Sequence, residues 1–333
     1  MRGFYQTIKI LVLGTLVILS SGWVHAERVV LGGNPPGSLY NSIANALATV
    51  VTKNSDLTVD VLPQGSTVFY PMMLSKEVDF GLVNPFDAEA AQLGKDPYGD
   101  SLISKGFKVS TVLVGKKINL SFVTTKDSGI KSIKDLKGKR VVVDYGAFAS
   151  SSITAAALLG SAGMTKDDVI RVSVGSYPQG VKAVQEGRAD AAVASIGSGV
   201  IKELDATRGA RILSVDNTAE AVKGARVHGS SWSVLPAKAG LPGVADSSFA
   251  LGWGVPVLAR ANLDDATVRK FLDTVWTHHE ELPGVFGWMR GWSPKGFVNP
   301  TTSIAYHPAA VQFFKEKGVW TPEMVKAQAR LNR

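Results

Sequence analysis

The residues with the greatest chemical capacity are histidines, serines and paired acids, and their spacing argues against catalysis. Beyond residue 26 the histidines are His228, His278, His279 and His307. His278 and His279 are neighbours on an expected helix and point apart, so they lack the i, i+4 spacing that puts two zinc ligands on one face. Ser128-Gly129-Ile130-Lys131 matches Ser-x-x-Lys, but neither Ser-Asp-Asn nor Lys-Thr-Gly accompanies it, and matches this short arise by chance. Gly-x-Ser-x-Gly, the commonest serine-hydrolase elbow, does not occur. Gly32 to Gly37 fits the spacing of a phosphate loop, yet Ser38 and Leu39 stand where Lys and Ser or Thr belong, so the charge clamp of nucleotide hydrolysis is missing. Asp167 and Asp168 are explained as turn or cap residues. The expectation is a protein that is not an enzyme and holds neither metal nor cofactor.

What remains suits binding. Residues 31–47, LGGNPPGSLYNSIANAL, read as a strand end, a Gly/Pro turn and a helix start. A helix N-terminus exposes unpaired N–H groups with partial positive charge, so such a turn is a ready anion site. The competing reading makes Ser38 a plain N-cap. A second turn, Tyr145 to Ser152, brings Ser150, Ser151 and Ser152 beside Tyr145 and Phe148. Fixed hydroxyls among apolar walls are the usual make-up of a small-molecule site.

The elements that would position these turns repeat at a step of 111 residues. Val29 to Leu31, the helix with Tyr40, Ile43, Leu47, Val50 and Val51 on one face, the strand Leu57 to Leu62, the helix Gly65 to Ser75 and the strand Val78 to Val83 form one unit. Arg140 to Val143, the turn into 150–151, the strand Val169 to Val174 and the helix Ser176 to Gln185 form the next. Asp79 maps on Asp190 and Gly65 on Ser176. Two α/β lobes are therefore expected, each offering a helix N-terminus at the carboxyl end of its first strand, where open α/β sheets bind ligands. The crossovers are placed near Ile118 to Lys126 and Val215 to Trp253, giving lobe 1 as 27–120 with 215–333 and lobe 2 as 121–214. Asp264 to His279 reads as a helix capped by Asp264 or Asp265, and His307 as a helix-start residue before Pro308. Trp288 and Trp292, among glycines, read as a surface insertion.

Residues 1–26 carry Arg2 and Lys9, a short apolar run and a small residue at Ala26, the pattern of a secretory signal peptide cut after Ala26. Without it the formal charge falls from +8 to +6. The apolar run is too short to span a bilayer, and the absence of cysteine excludes disulfides, thiolate metal sites and lipidation of an N-terminal cysteine. The expected location is the periplasm, without stable membrane insertion. Basic residues are dispersed apart from 131–140, so no stripe suited to nucleic acid is expected.

The ordered set GGNPPGSLYNSIANAL, PQGSTVFYPMMLSKEVDFGLVN, SGIKSIKDLKGKRVVVDYGAFASSS, QEGRADAAVA, VPVLARANLDDATVRKFLDTVW and AYHPAAVQFFKEKGVW resembles the TAXI-type solute-binding proteins of TRAP transporters, over nearly all of 28–320. The resemblance implies a type II periplasmic-binding-protein fold, α/β, with two lobes that are each a βαβ-type sheet flanked by helices. A small carboxylate-bearing ligand would sit in the cleft between them and pass to TRAP membrane subunits. By motif position it implies a first-lobe wall of Gly37, Ser38, Leu39 and Tyr40, with Gln64, Gly65, Ser66 and Asn84. In the second lobe it implies Gly146 to Ser151, including Phe148, Ser150 and Ser151 beside Tyr145, and Ser195, which is Asn84 stepped by 111. Trp232 is added as a candidate wall of the cleft. Asn34-Pro35-Pro36 and Phe148 depart from the family's small, hydroxyl-rich turns, so no particular amino acid is implied. A receptor for an ABC importer, or a sensor partner of a histidine kinase, remains open as an alternative.

Overall fold

The computed structural model describes residues 27–95, 98–99, 105–146 and 148–332. The segment read as a signal peptide lies outside them, as does Ala147 of the second turn. The first repeat unit runs β1 (Glu27–Gly33), α1 (Leu39–Asn54), β2 (Leu57–Pro63), α2 (Ser66–Leu74), β3 (Phe80–Leu82) and α3 (Pro85–Gln92). A long strand, β4 (Val109–Thr125), leads to the second: β5 (Arg140–Asp144), α4 (Ala149–Ser161), β6 (Ile170–Ser173), α5 (Tyr177–Gln185), β7 (Ala192–Ser195) and α6 (Gly199–Arg208). There follow β8 (Ala210–Ile212), α7 (Ala219–Arg226), β9 (Ser233–Pro236) and the long β10 (Phe249–Arg260). The chain closes with α8 (Asp265–His278), α9 (Leu282–Val285), α10 (Pro308–Glu316) and α11 (Pro322–Leu331).

The step of 111 is structural. The helices α2 and α5 coincide under it residue for residue, with Gly65 and Ser176 as their N-caps. Asp79 and Asp190 do the same job in each unit. Asp79 accepts from the Val30 amide at 3.0 Å and from Arg260 Nε at 3.0 Å. Asp190 accepts from the Arg140 amide at 2.8 Å and from Arg140 Nη2 at 2.7 Å. Each carboxylate thus ties the lead-in to the third strand to its unit's first strand.

The strands β2, β1 and β3 pair in parallel, and β3 continues into the antiparallel pair β10–β4. Those two strands are long enough to serve both units. Their one end carries β3, and their other end carries β9, β7 and β8. The strands β5 and β6 pair in parallel, with a bridge from Val141 to Ala191 linking them to the residues before β7. The β4–β10 register slips between Gly254 and Pro256 and again between Val257 and Leu258. Slips of this kind bend a ladder locally.

The core is apolar stripes against sheet. In α1, Tyr40, Ile43, Leu47, Val50 and Val51 are buried as the 3.6-residue period requires. Asp264 caps α8 by accepting from the Thr267 amide at 2.8 Å, and Val268, Phe271, Leu272 and Val275 face inward. His307 caps α10 through Nδ1. The helix α7, in the stretch that sequence assigned to the first lobe, packs on α4 of the second unit. They meet glycine to glycine, since a Cβ on Gly224 would lie 2.0 Å from the Gly160 carbonyl oxygen. The surface-insertion reading needs correcting for Trp292. Its side chain is buried because it fills the space over Gly115, where a Cβ would come within 2.1 Å of the indole ring. No helix of the described residues is long and apolar enough to cross a membrane.

Candidate functional site

Four chain turns meet at one small cavity. The first is the opening of α1, where Gly37 takes φ +89°, a conformation that favours glycine. This lets Ser38 act as N-cap: its Oγ accepts from the Asn41 amide at 3.1 Å and donates to the Pro35 carbonyl at 2.8 Å. The Ser38 hydroxyl is therefore engaged in capping. By helix geometry the amides of Leu39 and Tyr40 have no partner within α1.

Next comes the start of α3. Asn84 is its N-cap but makes no side-chain cap bond, because Oδ1 accepts from Tyr40 Oη at 2.5 Å. Tyr40 Oη in turn accepts from Trp253 Nε1 at 3.0 Å. Trp253, Tyr40 and Asn84 thus form a relay from the crossover strand β10 to the cavity wall, with the Asn84 amide nitrogen left as the donor end. Burial raises the Tyr40 pKa far above the ordinary phenol value, so the relay stays neutral.

The opening of α4 supplies Ser150, Ser151 and Thr154. Thr154 donates back to the Ser150 carbonyl at 2.6 Å. Ser150 and Ser151 are buried as residues, and their hydroxyls make no hydrogen bond to another described residue. Neither α1 nor α4 has an acidic residue in its first turn to neutralise the helix dipole.

The fourth turn is the end of β7. Here the Ser195 amide donates to Tyr177 Oη at 2.7 Å, and that hydroxyl also shares a hydrogen bond with Ser198 Oγ at 3.1 Å. Burial raises the Tyr177 pKa, with the bonds from Ser198 and Ser195 opposing.

The void these groups enclose, completed by Asn34, Leu39 and Leu120, is about 20 Å³, room for roughly one water. Its wall is neutral, made of hydroxyls, two side-chain amides, two leucines and the openings of α1, α3 and α4. Such a wall can hold a small anion without burying a counter-charge, because oriented N–H groups bring only partial charge. The two units come close beside it: a Cβ on Gly37 would lie 3.3 Å from Val200 Cγ1 and 3.9 Å from Pro178.

Of the residues read from sequence, Ser38, Leu39, Tyr40, Asn84, Ser150, Ser151 and Ser195 line this cavity together. Others lie elsewhere. Gln64 is exposed, and Gly65 is the N-cap of α2. Ser66 is buried behind α3, where it accepts from Tyr98 Oη at 3.1 Å. Tyr145 and Gly146 border a separate groove on another face of α4. The Tyr145 hydroxyl accepts from the Val193 amide at 2.8 Å. Phe148 is the N-cap residue of α4 and is buried. Trp232 is buried in a trio, stacked on Phe86 at 4.4 Å and edge-on to Trp253 at 4.9 Å.

Asn34, Leu120, Thr154 and Tyr177 line the cavity without having been singled out from sequence. For Tyr177 a signal existed, since the step of 111 from Ser66 lands on it. Among the described residues no group of three or more His, Cys, Asp or Glu side chains could hold a metal ion.

The profile of the NMT1-like family matches residues 31–318. A solved structure from Bordetella bronchiseptica RB50 is similar at a TM-score of 0.54, with 14% identity, covering 92% of this chain and 98% of that one. The methylphosphonate complex of PhnD1 from Prochlorococcus marinus gives 0.50 at 12% identity, covering 88% and 99%. The binding-protein component of an ABC phosphonate transporter from Pseudomonas aeruginosa gives 0.50 at 14% identity, covering 92% and 98%. The shared fold is the type II periplasmic-binding-protein architecture.

Proposed function

The chain belongs to the NMT1-like family, and from that premise we propose that it is an extracytoplasmic solute receptor that encloses a small organic anion. The observation that carries this reading is the meeting of the α1 and α4 N-termini at one cavity, with the Ser150 and Ser151 hydroxyls left there without a hydrogen-bond partner among the described residues. Hydroxyls that no protein group engages are available to the acceptor atoms of a ligand.

A void of about 20 Å³ is too small for an amino acid or dicarboxylate, so loading requires the two units to part. The bend sits where β4 and β10 lose register around Gly254 and Pro256. Opening there parts Gly37 from Val200 and Pro178. Ligand then shifts the population toward the closed state by touching donors of both units. A micromolar affinity corresponds to about −8 kcal/mol, within reach of a few charge-assisted hydrogen bonds and some apolar burial.

The resemblance of the motifs favours delivery to TRAP membrane subunits and a carboxylate ligand. A second reading, an ABC-importer receptor for a phosphonate, is favoured by the likeness to the two phosphonate-related structures. The test is a thermal-shift screen of residues 27–333 with mono- and dicarboxylates, their neutral amides and methylphosphonate. Ligand that binds only the native state raises the midpoint. A rise with an acid and none with its amide supports the anion reading. A rise with methylphosphonate alone moves the ligand class to the second reading, and equal rises with acid and amide overturn the anion site.

A further inference from the structure

We propose that the groove between α3 and α4 is a second ligand site, one that takes an uncharged, apolar or aromatic small molecule. It has a volume of about 790 Å³, within the range of small-molecule sites and far beyond what one water needs. Its walls are two helical stripes that face each other across the space. Phe86, Ala90 and Leu93 follow the i, i+4, i+7 spacing on the α3 side, and Ile153 and Ala156 stand on α4. Val227, just beyond α7, closes one end. Leu93 and Val227 are 56% and 78% exposed, so two of the large apolar side chains left open on this protein border the same groove.

Both walls are held from behind, so the groove is pre-formed. Phe86 is stacked on Trp232 at 4.4 Å and set edge-on to Trp253 at 5.2 Å, which keeps its ring from swinging in to fill the space. The helix α4 is fixed to α7 at the Gly160–Gly224 approach. The rim argues for a neutral occupant. Its charged side chains are two acids, Glu89 and Asp144, matched by two lysines, Lys95 and Lys166, with Asp144 paired to Lys166 at 3.5 Å. Burial, with Lys166 nearby, holds the His228 pKa below its ordinary value and keeps the ring uncharged at neutral pH. The proposal stands apart from the anion reading, because the groove uses Ala149, Ser152, Ile153 and Ala156 of α4 whereas the cavity uses Ser150, Ser151 and Thr154.

The test is a fluorescence titration of residues 27–333 with the neutral apolar dye N-phenyl-1-naphthylamine. The expected result is a saturable, blue-shifted rise with one site per chain. Ala90→Trp, which fills the groove, should weaken it at least tenfold, while the Ser150→Ala, Ser151→Ala double variant should leave it unchanged. Leu93→Arg, at a position exposed enough to spare the fold, should weaken it as well and decides the matter if Ala90→Trp does not fold. No saturable rise in the unaltered protein, or unaltered affinity in the groove variants, overturns the proposal.

Discussion

Asp87→Asn should stabilise the protein at neutral pH and have little effect near pH 4. Asp87 is the third residue of α3 and is wholly buried. Its Oδ1 accepts from Tyr98 Oη at 2.7 Å, while Oδ2 has no partner among the described residues. Burial lifts the carboxyl pKa from 3.8 to about 6, with the hydrogen bonds from Ser66 and Tyr98 pulling the other way. The phenols it faces, Tyr40, Tyr70 and Tyr98, are themselves buried and have raised pKa values, so none supplies a compensating charge. A raised carboxyl makes the native state bind more protons than the unfolded chain between about pH 4 and 6. Its contribution is therefore fully present below the unfolded pKa and is lost as pH rises through about 6. A gap of about two pKa units corresponds to roughly 3 kcal/mol at about 1.4 kcal/mol per unit. The amide is nearly isosteric, carries no charge and keeps an acceptor for Tyr98. Urea unfolding of both proteins from pH 4 to 8 is the assay, read as the difference between variant and parent. The difference removes carboxylates of the opposite sign, such as Asp190, lowered by the Arg140 bonds, and Asp264, lowered by the Thr267 amide. It should start near zero, climb between pH 4 and 6 and level off at roughly 3 kcal/mol in the variant's favour. A flat difference, or a variant less stable at pH 7, refutes the reasoning.

Tyr40→Phe should cost roughly 2–3 kcal/mol in the unliganded protein, because it leaves Trp253 Nε1 and Asn84 Oδ1 without their partner in a buried setting; chemical unfolding followed by tryptophan emission measures it. Ser38→Ala should lower stability by about 1 kcal/mol as a lost N-cap, whereas Ser150→Ala and Ser151→Ala should each leave the unliganded midpoint unchanged and weaken a bound acid by about tenfold. Asp79→Ala should cost roughly 3 kcal/mol, since it strands Arg260 at 17% side-chain exposure. Asp190→Ala should cost nearer 1 kcal/mol, since Arg140 is 44% exposed. Denaturation midpoints of the pair, compared under one set of conditions, check the ratio.

Much of this was legible because it is local. Strand ends, Gly/Pro turns and apolar stripes are written in neighbouring residues, and the step of 111 brought out Asp79 and Asp190 before any geometry was known. The strand expected at 118–126 proved to be the second half of β4, because Gly115-Lys116-Lys117 reads as a break while the ladder carries through it beside a slipped register. Hydrogen-bond bookkeeping was not legible. Ser38 and Ser150 look alike in sequence, yet one hydroxyl is consumed by Asn41 and Pro35 and the other is left open. That difference depends on where the preceding turn places a carbonyl. Trp292 misled for a related reason, since its glycine-rich neighbours look solvent-facing while its ring is received by Gly115, far away in sequence.

The repeat has a consequence for the orientation of a bound solute. Two copies of one module build the cavity, but the copies have diverged at the wall: the step of 111 carries Tyr40 onto Ser151 and Ser66 onto Tyr177. One half presents its phenol from its first helix and the other from its second. The likeness between the halves is broken where a solute would touch them. A molecule with unlike ends therefore has one preferred way round. On the proposed reading, changes confined to one module re-aim this selectivity while the other still supplies its helix N-terminus.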